Sequence, residues 1–118
     1  MKDVEYIEYY PSGEIQCKCN YMNGELNGKC IVYYESGEIE SKYNYLDGKP
    51  IGECIYYYES GGIYTKCNYI SGEKHGEYIQ YFISGVIKYK YYHINDKSVT
   101  EFEWISYNRN NKLELLGL

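Results

Sequence analysis

Tyr33-Tyr34-Glu35-Ser36-Gly37-Glu38-Ile39-Glu40-Ser41-Lys42-Tyr43-Asn44-Tyr45-Leu46-Asp47-Gly48 is the stretch whose reading decides the fold. Two turn signals, Ser36-Gly37 and Asp47-Gly48, bound a short segment of alternating large and polar residues, which is the pattern of a strand rather than a helix. Each marker returns at an interval of 24 residues. Ser-Gly recurs at Ser12-Gly13, Ser60-Gly61 and Ser84-Gly85; the second signal recurs as Asn23-Gly24, Ser71-Gly72 and Asn95-Asp96. A further glycine follows at Gly28, Gly52 and Gly76. Aromatic pairs keep the same step as Tyr9-Tyr10, Tyr33-Tyr34, Tyr57-Tyr58 and Tyr81-Phe82, and so do Ile15, Ile39, Ile63 and Ile87. A fixed period of this length marks a repeat architecture, each unit one supersecondary element.

Reading Ser36-Gly37 as a two-residue hairpin turn sets Glu35 against Glu38, Tyr34 against Ile39, Val32 against Ser41 and Cys30 against Tyr43. Side chains alternate along a strand, so one face becomes mostly apolar while Ile31, Tyr33, Glu40, Lys42 and Asn44 share a mixed face. The next copy puts Cys54, Tyr56, Tyr58, Ile63, Thr65, Cys67 and Tyr69 on the apolar face. The expected fold is therefore all-β: an elongated, twisted antiparallel meander of tandem hairpins over about 4–22, 28–46, 52–70 and 76–94, within one domain of residues 1–118. Connections such as Asp47-Gly48-Lys49-Pro50-Ile51-Gly52 read as longer links, with Pro50 blocking continuous strand. Continuing the frame makes 100–116 a degenerate capping hairpin, with Leu113 and Leu115 opposite Trp104 and Phe102; a short helix over Lys112 to Leu116 competes with it.

Composition bounds the function. Tyrosine supplies 19 residues against two Phe and one Trp, so large side chains here mostly keep a polar tip, which suits a thin sheet with wet edges. The formal net charge of −5 argues against nucleic acid or an anionic lipid surface as the main ligand and makes a basic partner easier to hold. No stretch approaches the roughly 18 apolar residues of a membrane helix, and Met1 to Tyr6 lacks the apolar run of a signal peptide, so a soluble, cytoplasmic chain is expected. Five cysteines, Cys17, Cys19, Cys30, Cys54 and Cys67, form an odd set without metal-site spacing, as in a reducing compartment.

Gly72-Glu73-Lys74-His75-Gly76-Glu77-Tyr78, together with the aromatic pairs and Ser-Gly turns at this period, resembles the MORN repeat in its bacterial variant form, over about residues 4 to 99. The resemblance implies consecutive antiparallel hairpins and a role in protein association, or in membrane or phospholipid contact. Bacterial chains of this kind look like antitoxin or immunity proteins that neutralise a cognate toxin. Some similar chains carry a lipid-kinase name inherited from plant enzymes with such repeats. Kinase activity does not carry over, because the chain has neither a nucleotide-binding Gly-rich framework nor a catalytic-loop His-Arg-Asp. Only His75 matches the family's His-Gly; Asn27 and Ile51 stand there in earlier copies.

Other chemistry is weighed against packing. Cys17, Cys19 and Cys30 could offer three thiols to zinc, but they occupy strand positions that other repeats fill with Tyr, Ser or Thr, so small buried hydrophobes are the better reading. Cys54 and Cys67 face each other and are read as reduced, with a cross-strand bridge as the alternative. His75 and His93 have no nucleophile at a telling spacing. No catalytic, cofactor or metal site is expected. The candidate partner-binding residues are Tyr9, Tyr33, Tyr57 and Tyr81, which alternation puts on the mixed face at intervals of roughly 9 to 10 Å. Such a row either grips a protein or, with Ile31, Ile55 and Ile79, covers the sheet as a minor core; both readings stand at this level. Free terminal strands also admit edge-to-edge dimers.

Overall fold

The computed structural model describes residues 2–115 and 117, and the side chains of all of these except 113–115. In chain order it contains β1 (Asp3–Tyr9), β2 (Ile15–Met22), β3 (Glu25–Tyr33), β4 (Ile39–Leu46), β5 (Lys49–Pro50), β6 (Gly52–Tyr57), β7 (Ile63–Ile70), β8 (Glu73–Lys74), β9 (Gly76–Tyr81), β10 (Ile87–Ile94), β11 (Lys97–Val99) and α1 (Glu101–Leu115). The strands form one antiparallel sheet in sequence order, with β5 and β8 as short outriders on β4 and β7. The molecule measures 56 × 44 × 19 Å with a radius of gyration of 17.2 Å. A compact chain of this length has a radius near 13 Å. The difference follows from a meander that is one sheet thick. Among the described residues no helix is long and apolar enough to cross a membrane.

The expected register holds along the strands: Val32 pairs with Ser41, Cys30 with Tyr43, Cys54 with Cys67 and Tyr78 with Tyr91. The turn that produces it is not the two-residue one. Tyr34 N–H donates to the Glu38 carbonyl at 2.8 Å and Gly37 N–H to the Tyr34 carbonyl at 2.9 Å, so the loop is Glu35-Ser36-Gly37 and Ile39 sits opposite Tyr33 rather than Tyr34. Gly37 takes φ +97°, the left-handed position that ends such three-residue loops. A bulge between Val32 and Tyr33 then gives back the residue the loop added, which is why the register beyond it is unchanged.

The links between hairpins are also tighter than the sequence suggests. Asn23 and Gly24, at φ 53° and 84°, form a two-residue turn with both dihedrals positive, and the same holds at Asp47-Gly48, Ser71-Gly72 and Asn95-Asp96. Met22 therefore faces Glu25 directly, and Pro50 pairs with Tyr45 instead of interrupting the sheet. The lengthening seen in sequence is a jog after the turn, at Gly28, Gly52 and Gly76. It moves the register by two residues between Tyr21–Leu26 and Cys19–Cys30. Each later turn bonds back to the preceding repeat: Gly48 N–H to the Leu26 carbonyl, Gly72 N–H to Pro50 and Asp96 N–H to Lys74, all at 2.9 Å.

The largest departure from the sequence reading lies at 100–116, which is no hairpin: residues Glu101–Leu115 are helical. Thr100 explains it. Glu103 N–H donates to Thr100 Oγ1 at 3.1 Å while Thr100 N–H donates to Glu103 Oε1 at 3.3 Å, a reciprocal capping box that satisfies two otherwise orphaned donors. Thr100-Glu101-Phe102-Glu103 spells that box, but the 24-residue frame carried the hairpin reading straight through it. The helix also starts eleven residues before the competing assignment at Lys112. The proposed facing of Leu113 and Leu115 across a hairpin lies outside the described side chains, as does Leu116. The helix docks on the mixed face, where Trp104 stacks on Tyr92 with centroids 5.7 Å apart and packs near His75 and Tyr107. A Cβ at Gly76 would meet Trp104 at an ordinary contact distance of 3.8 Å, so glycine is needed there for its φ of +92° rather than to admit the helix.

Burial is confined to a narrow line. Cys19, Cys30, Ser41, Cys54, Thr65 and Cys67 are buried along the apolar face, and Ile79 and Tyr92 are buried on the other face near the helix. Small residues fill the centre of the apolar face because the flanking tyrosines arch over them: Tyr43 lies edge-on to Tyr56 at 5.6 Å, with their hydroxyls hydrogen-bonded, and Tyr78 stacks on Tyr91 at 4.8 Å. The cysteines are not all reduced. Cys19 and Cys30, opposed across β2 and β3 with Cα atoms 4.1 Å apart, form a disulfide, whereas Cys17, Cys54 and Cys67 are free. Reading all five thiols as reduced is thus corrected at one pair, and it is the inter-repeat pair rather than Cys54–Cys67.

Candidate functional site

The aromatic pairs divide their labour. The second member of each pair is a latch: the Tyr10 hydroxyl donates to the Tyr33 carbonyl at 2.5 Å, Tyr34 to Tyr57 at 2.5 Å and Tyr58 to Tyr81 at 2.7 Å. Each latch ties one hairpin to the next along the turn side of the sheet. In the fourth copy the latch residue is Phe82, where no further hairpin offers a carbonyl. Among the first members, Tyr33, Tyr57 and Tyr81 contribute their carbonyls to this system but not their hydroxyls, and Tyr9 takes no latch.

These four are the residues singled out in sequence as partner-binding. Tyr9 is 56% exposed and Tyr33, Tyr57 and Tyr81 are half-buried. The exposure of Tyr9 comes from its place on the first strand, where no preceding hairpin leans on it. Lys42 Nζ lies 5.7 Å from the centre of the Tyr57 ring, within cation–π range. Nearby on the same face, Lys66 and Lys90 pair with Glu53 and Glu77 at 3.7 and 3.4 Å; both pairs are exposed, so they tune charge more than stability. The isoleucines differ along the array: Ile31 and Ile55 are half-buried, whereas Ile79 is buried beside the helix. A cleft of about 360 Å³ between sheet and helix is lined by Glu53, Lys66, His75, Glu77, Ile79 and Trp104. The mixed face is thus covered by the chain's own helix at its last repeat and open over the earlier ones, a division the sequence reading missed because it read 100–116 as a hairpin, with only a short competing helix over Lys112 to Leu116.

The apolar face carries a smaller hollow of about 250 Å³ lined by Tyr56, Thr65, Cys67, Tyr69, Tyr78 and Gln80, with Lys74 at its rim. Cys54 lies beneath, 1% exposed. The hydrogen bond with Cys67, followed by burial, pushes the Cys54 thiol well above its ordinary range, while Cys67 is lowered, first by its hydrogen bond with Cys54 and further by Lys74. Burial likewise raises the Tyr69 and Tyr56 phenols. His93 is buried at the end of this face and held below its ordinary pKa by burial, then by Lys74. No cluster of three or more metal-ligating side chains occurs among the described residues.

A model of the MORN repeat variant matches residues 2–23, 26–47 and 50–71. The chain belongs to the MORN repeat variant family. Each matched segment runs from the first strand of a hairpin through the Ser-Gly turn to the second turn, so the MORN unit and the structural hairpin coincide. The fourth MORN-like hairpin, over 76–94, lies beyond the match, and it is the copy with Phe82, Ile83 and Val86 around its Ser-Gly turn and Asn95-Asp96 in place of the second turn glycine. No curated protein matches the chain significantly.

Proposed function

We propose that this MORN module is a non-enzymatic protein-binding scaffold of the antitoxin or immunity type, which holds a cognate protein against the open part of its mixed face. The observation that supports this is the division within the aromatic pairs. Tyr10, Tyr34 and Tyr58 join the repeats, so the hydroxyls of Tyr9, Tyr33, Tyr57 and Tyr81 are left for another task. Tyrosines on a rigid sheet give large contact area with little entropy to lose, the property that enriches them at protein interfaces. Lys42 and the exposed Glu53–Lys66 pair add polar contacts beside the row.

The test is co-expression with the product of the adjacent open reading frame, scoring growth. Relief of a growth defect by the wild-type chain, lost in the Tyr33→Ser, Tyr57→Ser, Tyr81→Ser triple variant while its β-sheet circular dichroism persists, supports the reading. A triple variant that unfolds would make the row a core, and a folded triple variant that relieves growth fully would move the partner elsewhere.

A further inference from the structure

The three internal junctions between hairpins share one rule. Lys18 pairs with Ile31 and Cys17 with Val32; Lys42 pairs with Ile55 and Ser41 with Tyr56; Lys66 pairs with Ile79 and Thr65 with Gln80. After the fourth hairpin the rule has no taker. β11 pairs only with Tyr92 to Ile94 of β10 before the chain turns into α1, so among the described residues the edge of β10 from Ile87 to Tyr91 is left open, and every residue along it is exposed. A notch of about 350 Å³, lined by Lys90, Tyr91, Tyr92, Val99, Thr100 and Glu101, opens where the chain departs. At the opposite end of the sheet, β1 is the edge strand and pairs only with β2 among the described residues. Its Ile7 and Tyr9 stand one period before Ile31 and Tyr33.

We infer that the open edge of β10 receives β1 of a second copy of this chain, continuing the meander head to tail across two molecules. Extending the junction rule by one period pairs Lys90 with Ile7 and Tyr89 with Glu8 of the second copy. The ladder stops at Tyr6 of that copy, because the edge of Tyr92 is already taken by Val99. The turns agree. At the third junction Gly62 lies against the Ile83 carbonyl, and one period on this places Val86 against Pro11 of the second copy. Val86 and Ile83 are 62% and 70% exposed, apolar at the tip of a turn whose earlier copies carry Glu35, Glu38 and Glu59. An exposed apolar turn beside an unpaired strand is a feature that soluble monomers rarely leave uncovered.

Charge selects head-to-tail over symmetric pairing. β10 carries Lys88 and Lys90, and β1 carries Asp3, Glu5 and Glu8. Two β10 edges meeting about a two-fold at Tyr89 would oppose Lys88 to Lys90, and two β1 edges would gather acidic residues, whereas β1 on β10 sets Lys90 against Ile7 and Tyr89 against Glu8, so no like charges are opposed. This junction is weaker than the internal ones in one respect: Phe82 stands where a latch hydroxyl would reach the Tyr9 carbonyl of the second copy.

The test is sedimentation velocity across micromolar to millimolar protein. It does not depend on the tyrosine row or on any foreign partner. The wild type should associate in an open-ended, concentration-dependent series, and Phe82→Tyr should tighten each step by about threefold to tenfold by adding the fourth latch. A tail-blocked variant, Val86→Asp with Ile87→Asp, and a head-blocked variant, Glu8→Lys with Pro11→Asp, should each be monomeric alone and form a 1:1 dimer that grows no further when mixed. Monomers throughout, with Phe82→Tyr unchanged, overturn the inference; so does either blocked variant dimerising with itself.

Discussion

Replacing Tyr10, Tyr34 and Tyr58 together by Phe removes the three inter-hairpin latches and nothing else, since the rings stay in place. A net protein hydrogen bond is worth about 0.5–1.5 kcal/mol. The latches are separated by whole hairpins, so their losses should add to about 1.5–4.5 kcal/mol. At about 2.1 cal/mol/K of unfolding entropy per residue, a 118-residue chain loses about 4 °C of melting temperature per kcal/mol, which places the triple variant about 6–18 °C below wild type. The assay is thermal unfolding followed by far-ultraviolet circular dichroism at low micromolar concentration. The control is Tyr33→Phe, Tyr57→Phe, Tyr81→Phe, which deletes the same three atoms from the first member of each pair and should shift the midpoint by less than a third as much. Equal shifts in the two variants, or no shift in the latch variant, would refute the division of labour.

Other outcomes follow from single residues. Thr100→Ala should cost about 1 kcal/mol through loss of the capping box and loosen α1; the emission of Trp104, the only tryptophan, reports this by shifting red, and an unchanged spectrum would remove the cap from the account. Because His93 sits below its ordinary value of 6.5, the unfolded chain binds its proton more readily, so stability should be flat above that pH and fall as pH drops below it. His93→Tyr, the residue at the equivalent Tyr21, Tyr45 and Tyr69, should flatten that part of the denaturation profile, and an unaltered profile would implicate another group. Alkylation without reductant should label three cysteines, Cys17, Cys54 and Cys67, rising to five after reduction; five at the outset would show Cys19 and Cys30 unbridged.

Much of this fold is legible because its signals are local and repeated. Glycine at a fixed step, with Tyr and Ile between, fixes hairpins, and cross-strand partners such as Cys54 and Cys67 follow from counting. Turn type was harder to read. Ser36-Gly37 fits two loop lengths equally well, and only the bulge at Val32 and Tyr33, which leaves no mark in composition, tells them apart. The period also misled at the C-terminus, where a four-residue capping box outweighs a 24-residue frame once the chain leaves the sheet. Alternation sorts the tyrosines onto faces, but the cover that Trp104 gives Tyr92 and His75 depends on a helix docking on distant strands. The bond between Tyr34 and the Tyr57 carbonyl joins neighbouring repeats, and nothing in either repeat alone announces it.

The central claim is that the repeats build a sheet one layer thick, whose mixed face is covered by the helix at the last repeat and open over the earlier ones. Small-angle X-ray scattering on dilute monomer tests it most directly. A radius of gyration near the 17.2 Å of the structure, with an anisotropic distance distribution, is the result expected. A value near 13 Å, that of a compact domain of this length, would mean that the faces close on each other and that the row is core.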